Sequence, residues 1–372
     1  MTELIPYLNA LARHDGSDLY LTTGAPPCAK FNGKMKILRD EPLKPGEVGE
    51  LAKTIMDEEQ SKLFAHNLEL NVALSLAGIG RFRVNIFHQR NQISMVVRNV
   101  KMDIPSFASL NLPAILQDVV LAKRGLLLFV GATGSGKSSS LAALIDHRNE
   151  TCMGHIVTIE DPVEFVHKHK KSVISQREVG VDTRSYHDAL KNTLRQAPDV
   201  ILVGEIRDQE TMEHVLNYAE TGHLVISTLN ANNTNQGIDR IVNFFPDSRR
   251  NQILQDLANN LVCIASQRLI PTTKGGRIPA VEVLLGTPRS KELIANGKII
   301  ELRQAMEKSN TAGMQTFDQS LFELVRSGKV DMEVAIHHAD SADNLRLKLK
   351  LNQGAVNKIE SLSTGISGTR TH

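Results

Sequence analysis

The spacing of apolar residues changes near residue 100 and divides the chain into two parts. Before that point, apolar and polar residues mostly alternate, which is typical of strands with one buried face. After it, short continuous apolar runs alternate with stretches of helical periodicity, which favours a mostly parallel, doubly wound sheet covered by helices. The pattern therefore predicts a small α+β domain followed by a larger α/β domain.

The first part contains one helix-period stretch at 2–13 and a hairpin signal at Asn32-Gly33 within CAKFNGKMKIL. Two further helices are predicted near 46–56 and 58–66. Three strands close this domain, at 69–76, 81–89 and 92–100. We predict a domain over residues 1–100 and a proline-marked linker over 101–112, in which Pro105 favours extended backbone before it.

The second part is predicted to be a larger α/β domain over 113–345 whose C-terminal part is helical. Its strands are expected at 126–130, 155–160, 172–175, 200–204 and 223–228. From about residue 235 the pattern predicts helices, among them one long amphipathic helix over 247–269. The alternating run LRLKLKL at 345–351 predicts a solvated strand or a frayed end. Residues 346–372 are predicted to form a flexible basic and polar tail.

Composition narrows the class of protein without identifying it. The chain has 372 residues, 41% hydrophobic and 23% charged residues, and a net charge of +2, which neither requires nor excludes a polyanionic partner. Its three cysteines lack CxxC spacing, so a cysteine zinc site is not expected. No apolar run approaches the roughly 18 residues of a membrane span. We predict a cytosolic protein that reaches a membrane only through partners.

A phosphate-binding loop is the most specific motif in the chain. GATGSGKS, Gly131 to Ser138, follows the buried apolar run GLLLFV and precedes a predicted helix. In that context the glycines turn backbone N–H groups toward phosphate oxygens, and the helix N-terminus adds partial positive charge. Lys137 is expected to reach the outer phosphates, and the Ser138 hydroxyl to ligate Mg²⁺. The predicted nucleotide-binding residues are Gly131, Ala132, Thr133, Gly134, Ser135, Gly136, Lys137, Ser138 and Ser139.

Two acidic clusters follow the loop at the ends of predicted strands. TIEDPVEF contains Glu164, and DVILVGEIRD contains Glu205 directly after four apolar residues and a glycine. A carboxylate at the carboxyl end of a neighbouring strand can bind Mg²⁺ or orient the attacking water of ATP hydrolysis. Glu164 and Glu205 are therefore predicted to be catalytic, and Glu205 is also a candidate metal ligand. The alternative is that each carboxylate is a capping or surface acid.

A histidine and three arginines are further candidates. His223 opens the predicted strand HLVIST, where it could sense the γ-phosphate or serve only as a structural residue. Arg81, Arg83 and Arg98 lie in the first domain, and an arginine supplied across a subunit boundary is a standard way to stabilise phosphoryl transfer. For any single arginine, a solvated strand face remains the alternative.

These residues carry a recognisable resemblance to a family. LRQAPDVILVGEIRD at 194–208 resembles the signature of the type II/IV secretion ATPases. TIEDPVEF resembles their aspartate box, and TGHLVISTLN their histidine box. RFRVNIF and GMQTFDQSL resemble the pilus-retraction branch, the PilT/PilU type, and the resemblance extends from about residue 3 to 345.

The resemblance implies a homohexameric ring ATPase that uses ATP and Mg²⁺ to power type IV pilus retraction. Each subunit would have a PAS-like N-terminal domain and a RecA-like ATPase domain. Lys137 and Ser138 would take the phosphate and Mg²⁺ roles, Glu164 and Glu205 would be catalytic, and His223 would be the sensor. Arg81, Arg83 and Arg98 match arginines that approach nucleotide at a subunit interface. The implied partners are a PilT-like retraction ATPase and an inner-membrane pilus platform protein, with no nucleic acid and no direct membrane insertion.

Three departures from the family pattern refine this hypothesis. Asn230 stands where the histidine box has its second histidine, and no paired-CxxC zinc region is present. After Thr287-Pro288, the helix has the sequence RSKELIANGK in place of the one usual in the retraction branch. Asn230 puts part of the sensing role in doubt, and the lack of a zinc region disfavours an extension motor. The changed helix and the tail favour an accessory retraction motor that depends on a PilT-like ring. Two alternatives stay open. One is a nucleotide-binding adaptor ring with little hydrolysis, and the other is a secretion or DNA-transfer ATPase of the same superfamily.

Overall fold

The computed structural model describes residues 3–31, 33–100, 103–309, 311 and 313–352. These residues form two compact units. The first unit comprises the chain up to Ile104 together with Thr158–Lys168 and Ile174–Thr193, and the second comprises Pro105–Val157, His169–Val173 and the chain from Leu194 onward. Two segments that the sequence assigned to the ATPase domain thus belong to the first unit.

The first unit is built on a six-stranded antiparallel sheet with the order β3-β2-β1-β6-β5-β4. Helix α1 packs on β1, α2 packs on β6, and α3 packs on β4. The strands are β1 Gly16–Thr22, β2 Cys28–Phe31, β3 Lys34–Ile37, β4 Glu69–Leu76, β5 Gly80–Gln89 and β6 Gln92–Val100. The helices are α1 Ile5–Arg13, α2 Glu47–Lys53 and α3 Glu58–Asn67, and α6 Tyr186–Thr193 also belongs to this unit.

The alternation of apolar and polar residues along the strands explains how the first sheet buries one of its faces. In β5, every second side chain from Phe82 to Ile86 is buried, whereas Arg81, Arg83 and Asn85 remain partly accessible. Phe82, Ile86 and Leu8 are fully buried in one apolar cluster that fills the space between the sheet and its helices. Because successive strand residues face opposite sides, Arg81 and Arg83 share the face opposite to that core.

The second sheet has seven strands in the order β13-β12-β7-β11-β10-β8-β9. Strand β7 lies between β11 and β12 and is parallel to both, whereas β13 is antiparallel to β12. All six residues of β7 are buried, which is why its sequence is a continuous apolar run. The division between the two units falls within β8 and β9. The strands are β7 Gly125–Val130, β8 Gly154–Glu160, β9 Ser172–Glu178, β10 Val200–Val203, β11 Leu224–Leu229, β12 Leu261–Pro271 and β13 Arg277–Leu285.

Helices cover the second sheet and continue to its C-terminal end. Helices α5, α7 and α9 contact β7, and α8 contacts β12 and β13. None of the helices in the described ranges is long and apolar enough to cross a membrane. The helices are α4 Ile115–Val119, α5 Lys137–Thr151, α7 Gln209–Glu220, α8 Thr234–Asn243, α9 Arg250–Asn260, α10 Pro288–Ala295, α11 Glu301–Glu307, α12 Phe317–Arg326 and α13 Met332–His338. Single turns of 3₁₀-helix occur at Ala108–Leu110, Leu194–Gln196 and Asp247–Arg249.

The predicted long helix over 247–269 is wrong in its second half. Helix α9 ends at Asn260, the backbone of Leu261 is extended, and β12 then pairs with β7 from Leu261 to Ser266. The run from Leu261 to Ala265 is apolar throughout and inserts into the sheet, where burial of a whole strand outweighs helical periodicity.

The alternating run near the C-terminus also differs from its prediction. Residues 342–352 are helical, and Leu345 and Leu349, one turn apart, are buried against Phe317 and Leu321 of α12. The intervening Leu347 is exposed. A helix places residues four apart on one face, so two leucines of the run are enough to anchor it. The predicted tail beyond residue 352 lies outside the described residues.

Candidate functional site

The phosphate loop connects β7 to α5 at the carboxyl edge of the parallel strands. Gly134 and Gly136 have φ angles of +78° and +90°, in the left-handed region that favours glycine. Gly136 is also the N-cap of α5. Ala132, Thr133, Gly134 and Ser138 are exposed, so a ligand can reach the loop and the first turn of the helix. The strand–loop–helix context predicted from the sequence is present.

Lys137 folds back onto its own loop. Its Nζ donates to Gly131 O at 2.5 Å, to Ala132 O at 3.0 Å and to Asn230 Oδ1 at 3.0 Å. Burial lowers the pKa of the Lys137 ammonium from its ordinary value, and the negative charge of Glu205 opposes that shift. The ammonium is therefore held at the mouth of the loop by neutral oxygens that an anionic ligand can replace.

Asn230 connects the two charged groups of the site. It directly follows β11, and its carboxamide accepts from Lys137 through Oδ1 while its Nδ2 donates to Glu205 Oε1. The other carboxylate oxygen of Glu205 accepts from Arg207 Nε at 2.9 Å. A neutral amide thus bridges a cation and an anion that a direct ion pair would otherwise join. The position that departs from the family pattern lies inside the site.

The donor set at the loop suits a magnesium–phosphate ligand. Ser138 is exposed in the first turn of α5 and carries a hydroxyl group. Glu205 carries a carboxylate and closely follows β10, which is separated from β7 by β11 in the sheet. Hydroxyl and carboxylate oxygens are ligands that Mg²⁺ accepts when it is bound with phosphates. The predicted ligand pair of Ser138 and Glu205 therefore has the chemistry required.

His223 does not lie beside this loop, so the prediction that placed it there is wrong. It precedes β11, its carbonyl accepts from Gly125 N at 3.0 Å, and Gly125 begins β7. The loop follows the other end of β7, about 20 Å away at the usual rise per strand residue. The ring contacts Tyr218 O at 3.1 Å. Parallel strands place their first residues at one edge of a sheet and their last residues at the opposite edge, and Asn230 is the residue at the loop edge.

The remaining predicted residues belong to the first unit. Glu164 is exposed in the segment that follows β8. Arg83 Nε donates to Glu178 Oε1 at 2.8 Å, and Arg81 Nη2 lies 3.8 Å from Glu178 Oε2. Glu178 is fully buried, so both arginines are engaged by a carboxylate that water does not screen.

Arg98 differs from these two arginines. Its Nε donates to Asp18 Oδ1 at 3.1 Å, but its side chain is 61% exposed. Water reaches the exposed guanidinium, whereas its partner Asp18 is only 8% exposed. Of the three predicted arginines, Arg98 has the most accessible side chain, since those of Arg81 and Arg83 are 20% and 24% exposed.

Sequence reasoning missed Gln267, which is 2% exposed and contacts the loop from β12. It was missed because the segment that carries it was predicted to be helical. The apolar run from Leu261 to Ala265, similar in character to the run before the loop, was the available signal for a strand.

Comparisons with known proteins agree with this geometry. Residues 69–337 match the family model described as type II/IV secretion system protein. The chain is 49% identical over 362 residues to the type IV pilus ATPase PilU of Pseudomonas aeruginosa, covering 97% of this chain and 95% of that one. It is 39% identical to the type IV pilus retraction ATPase PilT of the same organism, covering 92% and 99%. The crystal structure of the pilus retraction motor PilT with bound ADP superimposes with a TM-score of 0.85, at 40% identity and 92% and 98% coverage.

Proposed function

The chain belongs to the type II/IV secretion system protein family, and from that premise we propose that it is an ATP-hydrolysing motor that assists type IV pilus retraction. The predicted family, the ATPase class and the α/β fold with a mostly parallel sheet are confirmed by the family match and by the PilT and PilU relatives. One observation supports the chemistry above all others. Lys137 of the phosphate loop and Glu205, which closely follows β10, are joined through the single side chain of Asn230.

ATP binding begins with replacement of the contacts of Lys137. Phosphate oxygens are stronger acceptors for an ammonium than Gly131 O, Ala132 O and the Asn230 amide, because they carry charge. The N–H groups of the loop and of the first turn of α5 then contact the phosphates. Mg²⁺ held by Ser138 and Glu205 would neutralise charge on the phosphates. ADP in the related PilT structure is consistent with a nucleotide at this loop.

Glu205 is proposed to act on the water that attacks the γ-phosphate. Its carboxylate is held by Asn230 on one oxygen and by Arg207 on the other, so its orientation is fixed before substrate arrives. Glu164 is proposed as a second catalytic carboxylate, since it belongs to the segment that resembles the family's aspartate box. Both groups act after nucleotide has bound, and neither is needed to hold the phosphates.

Single substitutions distinguish the phosphate-binding role of Lys137 from the catalytic roles of Glu205 and Glu164. Lys137→Ala should abolish ATP hydrolysis and weaken nucleotide binding. Glu205→Ala and Glu164→Ala should retain binding and lose turnover by roughly 10²–10⁴-fold, the range for a catalytic acid or base. Steady-state phosphate release and ADP affinity, measured with circular dichroism as a control for folding, distinguish the two patterns. Near wild-type turnover in Lys137→Ala would contradict the assignment of the loop.

A homohexameric ring is part of the proposal, and with it catalysis across a subunit boundary. Arg98 is the preferred arginine, because its side chain is 61% exposed, whereas those of Arg81 and Arg83 are 20% and 24% exposed. Arg98→Ala subunits mixed with Lys137→Ala subunits should recover part of the lost turnover, since each supplies what the other lacks. Lack of recovery in rings shown to be mixed would count against catalysis in trans.

A second candidate function is an adaptor ring that binds nucleotide and hardly hydrolyses it. It is favoured by one observation: Asn230, an amide that cannot titrate, stands where the family's histidine box has its second histidine. Turnover of the purified ring decides between motor and adaptor. The PilU and PilT relatives favour pilus retraction over secretion or DNA transfer.

The cellular role is proposed to depend on a second, PilT-like ring. The protein would act on the cytoplasmic side of the inner membrane, held there by a pilus platform protein. Retraction should fail in a strain that has this chain but no PilT-like ATPase, and co-purification of the two rings should be detectable. Vigorous retraction without the PilT-like ATPase would refute the dependence.

A further inference from the structure

Gln267 lies where β12 passes the beginning of the phosphate loop. In the register of the sheet, Ser266 is the partner of Val130, the last residue of β7. Gln267 is thus level with Gly131, the first residue of the loop. A Cβ atom added to Gly131 would lie 2.7 Å from Gln267 O, so the loop begins in contact with this strand.

The Gln267 side chain continues from the strand to the middle of the loop and to the helix behind it. Its Nε2 donates to Ser135 O at 2.8 Å, and its Oε1 accepts from Ser140 Oγ at 2.8 Å. Ser140 lies in the first turn of α5 and is 1% exposed. The amide therefore uses its donor on the loop and its acceptor on the helix.

The side chain of Gln267 also packs closely against Gly136. A Cβ atom added at this position would lie 2.8 Å from Gln267 Nε2, and the φ angle of Gly136 is +90°. The amide therefore fills the space that a side chain at Gly136 would occupy. Gln267 and its hydrogen-bond partners Ser135 and Ser140 are buried. If the amide is removed, water does not replace the lost hydrogen bonds, so the buried donor and acceptor left behind cost free energy.

We propose that Gln267 is a positioning residue for the nucleotide phosphates. It holds the carbonyl of Ser135 away from the phosphate side of the loop, and it fixes the loop relative to the N-terminus of α5. The inference rests on the proposed nucleotide function of the loop. Gln267 touches neither the exposed face of the loop nor Lys137 in the contacts above, so it acts through Ser135, Gly136 and Ser140.

Three variants and a control test this role in the full-length chain. Gln267→Met keeps the volume of the side chain and removes both hydrogen bonds. Gln267→Glu keeps the acceptor, removes the donor and adds negative charge beside a phosphate site. Ser140→Ala removes one hydrogen bond from the helix side. Ile270→Val is the matched control, since it deletes a buried methylene from the same strand away from the loop.

The measurements are the Kd for ADP, the KM and kcat for ATP, and the thermal midpoint. Gln267→Met should raise the Kd for ADP about tenfold, the usual consequence of losing one to two buried hydrogen bonds. KM should rise in parallel and kcat should change less, because a positioned loop acts first in binding. Gln267→Glu should bind ADP more weakly than Gln267→Met. Ser140→Ala should weaken binding less, and should have little further effect when it is combined with Gln267→Met.

The outcomes separate this inference from the proposed function. If Gln267→Met and Ile270→Val lower the thermal midpoint alike and both bind ADP within twofold of wild type, Gln267 is only structural and the inference fails alone. If wild-type protein does not bind ADP, the nucleotide function fails and the inference fails with it. Weakened binding in Ser140→Ala supports the inference even where Gln267→Met does not fold.

Discussion

The partly buried carboxyl group of Glu160 should make the stability of this protein depend on pH near neutrality. Burial raises the pKa of Glu160 from its ordinary 4.5 to about 7, against the opposing effect of hydrogen bonds from Thr158 and Gln176. Thr158 Oγ1 donates to Glu160 Oε1 at 2.6 Å, and Gln176 Nε2 donates to the same oxygen at 3.3 Å. These donors do not compensate for the loss of water around the carboxylate.

The sign of the effect follows from proton binding. Between pH 4.5 and about 7, folded Glu160 keeps a proton that the unfolded chain has released. The folded state binds more protons over that window, so the free energy of unfolding falls as the pH rises through it. Each pKa unit corresponds to about 1.4 kcal/mol, and the rise from 4.5 to about 7 therefore corresponds to a loss of about 3 kcal/mol.

Glu160→Gln removes the titration and nearly preserves the shape of the side chain. Urea unfolding of wild type and variant at intervals from pH 5 to pH 8 should show a steeper decline for wild type, with the two differing by about 2.5 kcal/mol more at pH 8 than at pH 5. Glu164→Gln is the matched control, since it removes an exposed carboxylate from the same segment. Parallel curves for wild type and Glu160→Gln would refute the reasoning, because they would show that Glu160 releases its proton equally in both states.

Three further predictions test the packing and the geometry of the site. Glu178→Gln should lower the free energy of unfolding by about 2 to 3 kcal/mol in urea titrations, less than for a fully buried ion pair because Arg83 is partly exposed. Leu345→Ala should cost about 2 to 4 kcal/mol in the same assay and Leu347→Ala almost nothing, since only Leu345 is buried, and equal costs would contradict the helical packing. His223→Ala should leave the Kd for ADP within twofold of wild type by calorimetry, and a larger loss would show that this residue reaches nucleotide after all.

The sequence determines the elements of this fold best where apolar periodicity and local turn signals agree. The strands predicted at 69–76 and 92–100 have the same bounds in the structure. The phosphate loop was located to the residue, because glycine conformation, lysine and the following helix are encoded next to one another. The placement of Glu205 near this loop was predicted for a similar reason, since it closely follows a short apolar strand.

Interactions between distant residues left no comparable signal. Glu178 contacts Arg83 across 95 positions of the sequence, and Gln267 contacts Ser135 across 132. Nothing local distinguishes either residue from an ordinary polar residue on a strand. His223 was misplaced for another reason: periodicity identifies a strand, but its first and last residues lie at opposite edges of the sheet, about 20 Å apart.

The position of β7 between β11 and β12 has a consequence for how the protein is made. Its neighbours are encoded about 100 and about 135 residues further along the chain. A ribosome that adds about 5 to 20 residues each second needs roughly 7 to 27 seconds to reach the second of them. During this interval β7, a strand whose six residues are all buried in the folded protein, has been synthesised and has an open edge, the kind of segment that pairs with other chains. A fragment that ends between residues 230 and 260 contains the whole phosphate loop but lacks β12, the strand that contacts this loop through Gln267. We therefore expect translational arrest in this interval to produce a fragment that aggregates.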